Sequence, residues 1–235
     1  MTTFTYQERF KTARGVFDEF TNRNLFELES RNIFESLVSP FEVGKESNVF
    51  IAKKGKQQFI VKIYRVQNCD FKRMYDYIRK DVRYEYLKKH RREIIFAWVQ
   101  REYKNLFRAQ QAHVAVPQPL AWKYNILVES MIGDEIPAPT LKDAHPADPP
   151  GFFGLVIEEV RKLYAGGLIH GDLSSFNILN HHEKPYLIDF SQATLVKTPN
   201  AEELLERDVN NILKFFAKLG VKAVKEEVLQ KIRNI

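Results

Sequence analysis

Three polar side chains, Asp172, Asn177 and Asp189, stand at spacings that leave the surrounding chain little freedom in how it folds. They occur in His170-Gly171-Asp172-Leu173-Ser174-Ser175-Phe176-Asn177-Ile178-Leu179 and in Leu187-Ile188-Asp189-Phe190. The stretch from Phe176 to Asn180 and the stretch from Pro185 to Phe190 read as the arms of a β-hairpin, turned at His181-His182-Glu183-Lys184. Such a hairpin returns Asp189 to the side of Asn177, so two hard oxygen donors meet while Asp172 stays in the loop before them. That arrangement suits magnesium and the phosphates it accompanies, with the first Asp facing an acceptor hydroxyl. Asp and Asn are also ordinary turn residues, but here the apolar flanks match as well as the polar positions.

A second pair supports a nucleotide site. Lys62 is central in the apolar strand Phe59-Ile60-Val61-Lys62-Ile63-Tyr64, where an ammonium is costly to bury without a partner. On a helix expected from about Arg92 to Gln110, Glu102 falls on the same stripe as Ile95, Val99 and Leu106. A strand Lys paired with an inward helix Glu is the device kinases use to grip the α and β phosphates. Gly44-Lys45-Glu46-Ser47-Asn48-Val49 lies between two expected strands, where a phosphate-covering loop belongs. It holds one glycine and fails the G-x-G-x-x-G pattern, but Lys45, Ser47 and its backbone N–H groups suit a triphosphate.

Helical spacing from about Arg14 to Ser36 predicts short helices, giving an N-terminal extension over 1–36. Pro40 opens a β-rich stretch, with strands at Phe41 to Val43, Val49 to Ala52 and Phe59 to Tyr64, and a turn at Lys53-Lys54-Gly55-Lys56. Phe71 to Arg92 is basic and aromatic without clean periodicity, so it reads as a loop. A strand is expected from Tyr124 to Glu129 and a proline-rich linker from Pro137 to Pro150. A helix bearing Phe153, Ile157, Val160 and Tyr164 follows, stopped by Gly166-Gly167. Helices close the chain at Ala201 to Leu219 and Val221 to Ile235. The expectation is an α+β, two-lobed fold: a small β-rich lobe over 37–130 and a mostly helical lobe over 131–235.

The length of 235 residues accommodates this, and a single cysteine, Cys69, excludes an internal disulfide framework or Cys-rich zinc site. It fits a reducing cytoplasm. The N-terminus does not read as a signal peptide, and no apolar run approaches the length of a bilayer. The net charge of +6 points to an anionic partner, of which RNA is the commonest. His170 is expected to be a scaffold beside Asp172, Cys69 to be inert, and His181 and His182, in an exposed turn, to be poor metal ligands.

Gly44-Lys45-Glu46-Ser47-Asn48-Val49, Val61-Lys62-Ile63-Tyr64, Pro137-Ala138-Pro139-Thr140-Leu141-Lys142-Asp143, Asp172-Leu173-Ser174-Ser175-Phe176-Asn177 and Ile188-Asp189-Phe190-Ser191-Gln192-Ala193 together resemble the RIO family of atypical protein kinases. The likeness runs from about Arg14 to the end. Pro-Ala-Pro before Leu-Lys-Asp, and Ser-Gln-Ala after Asp189, point to an archaeal-like member of the type-1 branch. The resemblance implies ATP and Mg2+ (or Mn2+) as cofactors, serine autophosphorylation, ATPase activity, and a role in maturing the small ribosomal subunit in contact with its rRNA. It implies that Asp172 is the catalytic Asp, that Asn177 and Asp189 bind the metal, and that Asp189 can accept the phosphoryl group. It places Lys45, Glu46, Ser47, Asn48 and Val49 over the nucleotide, Lys62 on the phosphates with Glu102 holding it, and the Glu129 and Met131 backbones on the adenine. The basic segment 71–92 corresponds to the family's flexible loop.

Departures from ordinary protein kinases carry information. His-Gly-Asp at 170–172 lacks an arginine to clasp a phosphorylated loop, and Asp-Phe-Ser replaces Asp-Phe-Gly at 189–191. No Ala-Pro-Glu motif follows, so a peptide-docking subdomain is not expected, which suits an ATPase switch. Small-molecule phosphotransferases share His-Gly-Asp-x-x-x-x-Asn but need a larger helical lobe. The kinase of the tRNA-threonylcarbamoyl machinery has similar length but lacks Ser-Gln-Ala. A basic RNA-binding scaffold with a vestigial nucleotide site is the remaining alternative, and the intact polar positions oppose it.

Overall fold

Alternating side chains on one strand decide how the upper half of the molecule is layered. In β3 (Gln57–Tyr64), Phe59, Val61 and Ile63 point to one face and join Leu25 and Leu28 of α1 (Glu19–Ser30) in a core. Ile60, Lys62 and Tyr64 point the other way, as a period of two requires. The computed structural model describes residues 17–44, 46–66 and 69–234. β3 lies in a five-stranded antiparallel sheet with β1 (Ser36–Val43), β2 (Ser47–Lys54), β4 (Pro119–Lys123) and β5 (Ile126–Ser130), in the order β1-β2-β3-β5-β4. α1 starts at Asp18, whose carboxylate accepts the Thr21 N–H at 2.8 Å, a side-chain N-cap.

Several boundaries differ from the sequence expectation. β1 begins at Ser36 rather than at Pro40, because a proline on an edge strand loses no ladder bond. Tyr124 and Asn125 form a turn, with Tyr124 at φ 50, so the strand expected at Tyr124 begins at Ile126. The expected extension over 1–36 is described only from residue 17, and its described residues hold one helix, Glu19–Ser30.

The segment 71–92 is largely helical and packed rather than a loop. α2 (Phe71–Ile78) buries Met74 and Ile78 against α3 (Arg91–Gln111), and a short 3-10 turn follows at Val82–Tyr84. Two apolar residues one turn apart suffice to dock so short a helix, too few to show as periodicity among basic and aromatic neighbours. The lower half holds α4 (Pro149–Ala165), α5 (Ala201–Lys218) and α6 (Lys225–Arg233) around a β7–β8 hairpin (Ile178–His181, Lys184–Leu187) and a β6–β9 pair (Leu168–Ile169, Thr194–Leu195). α4 ends at Gly166, and Gly167 follows at φ 78. No helix among the described residues is long and apolar enough to cross a membrane.

Candidate active site

A cleft of about 790 Å³ opens between the sheet and the β7–β8 hairpin. Val49 and Ile60 line it from the sheet, Leu179 and Ile188 from the hairpin, and Ser130 and Ile132 from the connection between lobes. That is an apolar slot of the kind that takes a flat base. Lys62, Asn177, Asp189, Ser47 and Glu46 line the same cleft and supply its polar groups.

Lys62 Nζ lies 2.9 Å from Glu102 Oε1 and 3.2 Å from Glu129 Oε1. Tyr64 donates its hydroxyl hydrogen to the other Glu102 oxygen. Burial works against the Lys62 ammonium, but the charges of Glu102, Glu129 and Asp189 outweigh it and hold its pKa above the ordinary value. Glu129 is the surprise. It enters the site through its carboxyl, which burial pushes up to about 7 against the pull of Lys62, with the Glu102 charge adding to the rise. A raised folded pKa contributes stability present below the unfolded value of 4.5 and lost as pH rises through about 7. Resistance of the protein to urea is therefore expected to fall from pH 4.5 toward 7, and Glu129→Gln to flatten that slope. An identical slope in both proteins would show that Glu129 does not titrate there.

Met131 is expected to meet the base with its backbone and lies between Ser130 and Ile132, which line the cleft. Its N–H donates to Gln58 O (3.4 Å), continuing the β3–β5 ladder past Ser130 and two residues beyond the expected strand end at Glu129. Asn48 turns away: it is buried, and its Oδ1 accepts from Arg65 Nη2 at 2.8 Å. Ser47 and Val49, on the opposite strand face, line the cleft. Glu46 lines it too, its carboxyl raised by burial and by the Asp189 charge. Lys45 lies outside the described residues.

Asn177 Nδ2 donates to the Asp172 carbonyl at 2.8 Å, which leaves its amide oxygen for a cation. Asp189, at φ 61, accepts the Ser191 hydroxyl on Oδ1 at 2.7 Å. Aspartate tolerates this left-handed backbone better than most residues, and here it accompanies a carboxylate facing the cleft. An amide oxygen and a carboxylate oxygen are the few hard donors that suit magnesium, whose remaining positions go to water and phosphate. The donor chemistry fits that ion.

Asp172 is not itself in the cleft lining but is tied to it by the Asn177 bond, and Gln192 Nε2 donates to its Oδ2 at 2.8 Å. Burial, then the Asp189 charge, raises the Asp172 pKa. The loop that carries it hangs from α5. Asp208 accepts the N–H groups of Gly171 (2.7 Å) and Leu173 (2.9 Å), Arg207 donates to Gly171 O, and Asn211 Nδ2 donates to Leu173 O at 3.1 Å. Gly171, at φ 76, could not carry a Cβ easily, since one would sit 3.0 Å from Gln192 O. His170 is buried with Nε2 2.9 Å from Ile188 O, and burial lowers its pKa, so it braces the strand ahead of Asp189 as a neutral ring.

Sequence reasoning missed Gln192, Asp208 and the pair Arg101–Asn105. Arg101, beside Glu102 on α3, is 1% exposed and sits 3.2 Å from Asp81 Oδ2. Asn105 Nδ2 donates to Ala193 O at 2.7 Å and to Phe190 O at 3.1 Å. Arg101, Asn105 and Asp208 sit where helical spacing points inward, and that was the available signal, whereas Gln192 lies in a bend after Phe190 and carries no such pattern.

The RIO domain matches residues 48–229. The chain belongs to the RIO family. It is 42% identical over 218 residues to the RIO-type serine/threonine-protein kinase Rio1 of Methanocaldococcus jannaschii, covering 92% of this chain and 75% of that protein. To the protein of the same name in Haloferax volcanii it is 38% identical, with the same coverage. The human serine/threonine-protein kinase RIO1 is 32% identical over 89% of this chain and 38% of its own length. By fold, the chain is similar to a Rio2 kinase of Chaetomium thermophilum solved as an ADP/Mg2+-phosphoaspartate complex. The TM-score is 0.70 at 24% identity, over 90% of this chain and 66% of that one. The protein is thus a RIO-type serine/threonine-protein kinase by family, allied to the archaeal type-1 members, with the two-lobed kinase-like architecture. Membership separates it from the small-molecule phosphotransferases and the tRNA-threonylcarbamoyl kinase, which share its catalytic motif.

Proposed function

We propose that this RIO protein binds ATP with magnesium in the cleft, transfers the γ-phosphoryl group, and acts as an ATPase switch during maturation of the small ribosomal subunit. The observation that carries the proposal is the convergence of Lys62, Asn177 and Asp189 on one cleft, with Asp172 joined to it through Asn177. Lys62, kept charged by two carboxylates, attracts the α and β phosphates. Asn177 and Asp189 would hold magnesium, which when bound neutralises phosphate charge and orients the γ-phosphoryl group. Asp172 orients a serine hydroxyl or water and accepts its proton. Alternatively an Asp189 carboxylate oxygen attacks the γ-phosphorus, forming an O–P bond as the bond to the β-phosphate oxygen breaks and ADP leaves. Water then releases phosphate from the aspartyl group.

Partner and place belong to the same proposal. Lys72, Arg73, Arg79, Lys80, Lys88, Lys89, Arg91 and Arg92 are exposed on and around α2. Several cations stack on neighbouring rings, Arg91 over Phe71 at 4.7 Å and Lys89 over Tyr75 at 5.4 Å, while Tyr86 is 91% exposed. Exposed cations beside a free aromatic suit single-stranded or looped rRNA, through phosphate contacts and stacking. The same proposal places the protein in the cytoplasm. The test is magnesium-dependent release of phosphate from ATP, measured with and without pre-ribosomal RNA or particles. Turnover that needs magnesium and responds to the particles is expected; ATP binding without turnover under either condition would leave the scaffold alternative standing.

A further inference from the structure

The turn of the β7–β8 hairpin carries a group of side chains that the phosphoryl-transfer site does not use. His181 ends β7, His182 follows in the turn, and Asp134 arrives from the loop after Ile132, 47 residues earlier than His181. His181 Nε2 lies 3.4 Å from Asp134 Oδ1, and His182 Nε2 lies 3.1 Å from Asp134 Oδ2. The donor atoms of all three residues fall within 4.8 Å of one another. Metal–ligand bonds of about 2.0–2.1 Å in a tetrahedral zinc site place neighbouring ligand atoms about 3.3 Å apart. The two imidazole–carboxylate separations, which close as hydrogen bonds without a metal, match that edge.

The scaffold holds the three groups in place. Glu183 accepts from Asn180 Nδ2 at 3.2 Å and from the Ala147 N–H at 2.9 Å, which fixes the turn from both sides. His182 and Glu183 take φ values of 51 and 58, the two-residue left-handed turn that matches strand twist. This backbone brings the two imidazole rings to 4.1 Å between centroids. On the other side, Gly133 bridges to Pro137, and Ala138 N donates to Ile132 O at 2.8 Å, so Asp134 sits in a tight loop. A Cβ on Gly133 would lie 2.2 Å from Ile136 O, so only glycine allows this loop.

We propose that Asp134, His181 and His182 bind one divalent transition-metal cation of the zinc class at the lip of the nucleotide cleft. Two imidazoles and one carboxylate select zinc, cobalt, nickel or copper over magnesium, which prefers oxygen. The site is separate from Asn177 and Asp189 and does not depend on the phosphoryl-transfer proposal. Ile132 and Leu179 both line the cleft, each two residues before a ligand, so the ion would clip the interlobe connection to the hairpin that carries Asn177. A fourth position stays open to water, because His182 and Asp134 are each 69% exposed.

Cobalt and zinc titrations of the full chain, stripped of metal and free of nucleotide, test this. One equivalent of cobalt should give the visible absorption of a tetrahedral ion, displaced by zinc and left in place by excess magnesium. Asp134→Asn and His182→Ala should each weaken zinc by more than about tenfold, the least that loss of even an outer partner costs a metal site. His113→Ala, at an exposed position elsewhere, should bind as the unsubstituted chain does. Absence of the cobalt band, or undiminished binding in the Asp134→Asn, His182→Ala double variant, would overturn the proposal.

Discussion

Replacing Asp172 by asparagine is expected to cut phosphoryl transfer by about 10²–10⁴-fold, the usual contribution of a positioned general base, while ATP affinity holds. The side chain keeps its shape, and its remaining oxygen still accepts from Gln192 Nε2, which lies 2.8 Å from Asp172 Oδ2. The Asn177 bond to the Asp172 backbone carbonyl is untouched, so the metal ligands stay where they are. What disappears is a carboxylate able to take a proton. Asp189→Asn removes an anionic donor instead, so its loss should appear also in the magnesium dependence of nucleotide binding. Initial rates of phosphate release, set beside the affinity of a fluorescent ATP analogue, separate the two effects. Turnover close to that of the unsubstituted chain would remove Asp172 from the reaction.

Asp81→Ala is expected to destabilise the fold by about 3–5 kcal/mol, the cost of stranding one charge of a buried pair. Arg101 is 1% exposed and Asp81 is fully buried, with 3.2 Å between their nearest atoms. Burial lowers the Arg101 pKa to about 10, so it remains a cation at neutral pH. Its other partners, the carbonyls of Ser191 and Gln192, lie at 3.4 and 3.5 Å and are weak substitutes. Arg83 also loses its counter-ion, although it keeps Asn105 Oδ1 at 3.0 Å and is half-buried. Asp81→Asn, which retains acceptors without the charge, should fall between the two. Urea unfolding measures the loss; a change under about 1 kcal/mol, typical of an uninvolved surface position, would show that Arg101 has another counterweight. Because Arg101 also reaches the Ser191–Gln192 backbone, activity should fall in step with the loosening of α2 from α3.

The two acids and the amide of the catalytic loop were legible because hairpin geometry is local. A turn between two short strands returns residue 189 to residue 177 in any fold that forms it. Lys62 and Glu102 were legible for a different reason: each is a charge on an otherwise apolar face, and burying one demands the other. The same logic, pushed harder, would have flagged Arg101 and Asn105 on α3 and Asp208 on α5. It did not, because an arginine or aspartate in a helix usually reaches solvent, and inward spacing alone does not name the partner that would hold it. At the interlobe wall no local pattern sets the register: the β3–β5 ladder runs on to a Met131 N–H bond, and the Glu129 carboxyl reaches Lys62.

What the sequence determined by itself was whatever rests on short-range order. That includes the hairpin, the alternation of β3, the long helix with an inward acid, and the motifs that mark a RIO kinase. Tertiary structure alone decided that a second carboxylate, Glu129, shares Lys62 with Glu102, that a basic segment packs as a helix on α3, and that Asp134 meets two histidines across 47 residues. The reason is physical. Local patterns are set by backbone geometry within a few residues, whereas a buried charge or a metal ligand finds its partner only once the chain has closed on itself.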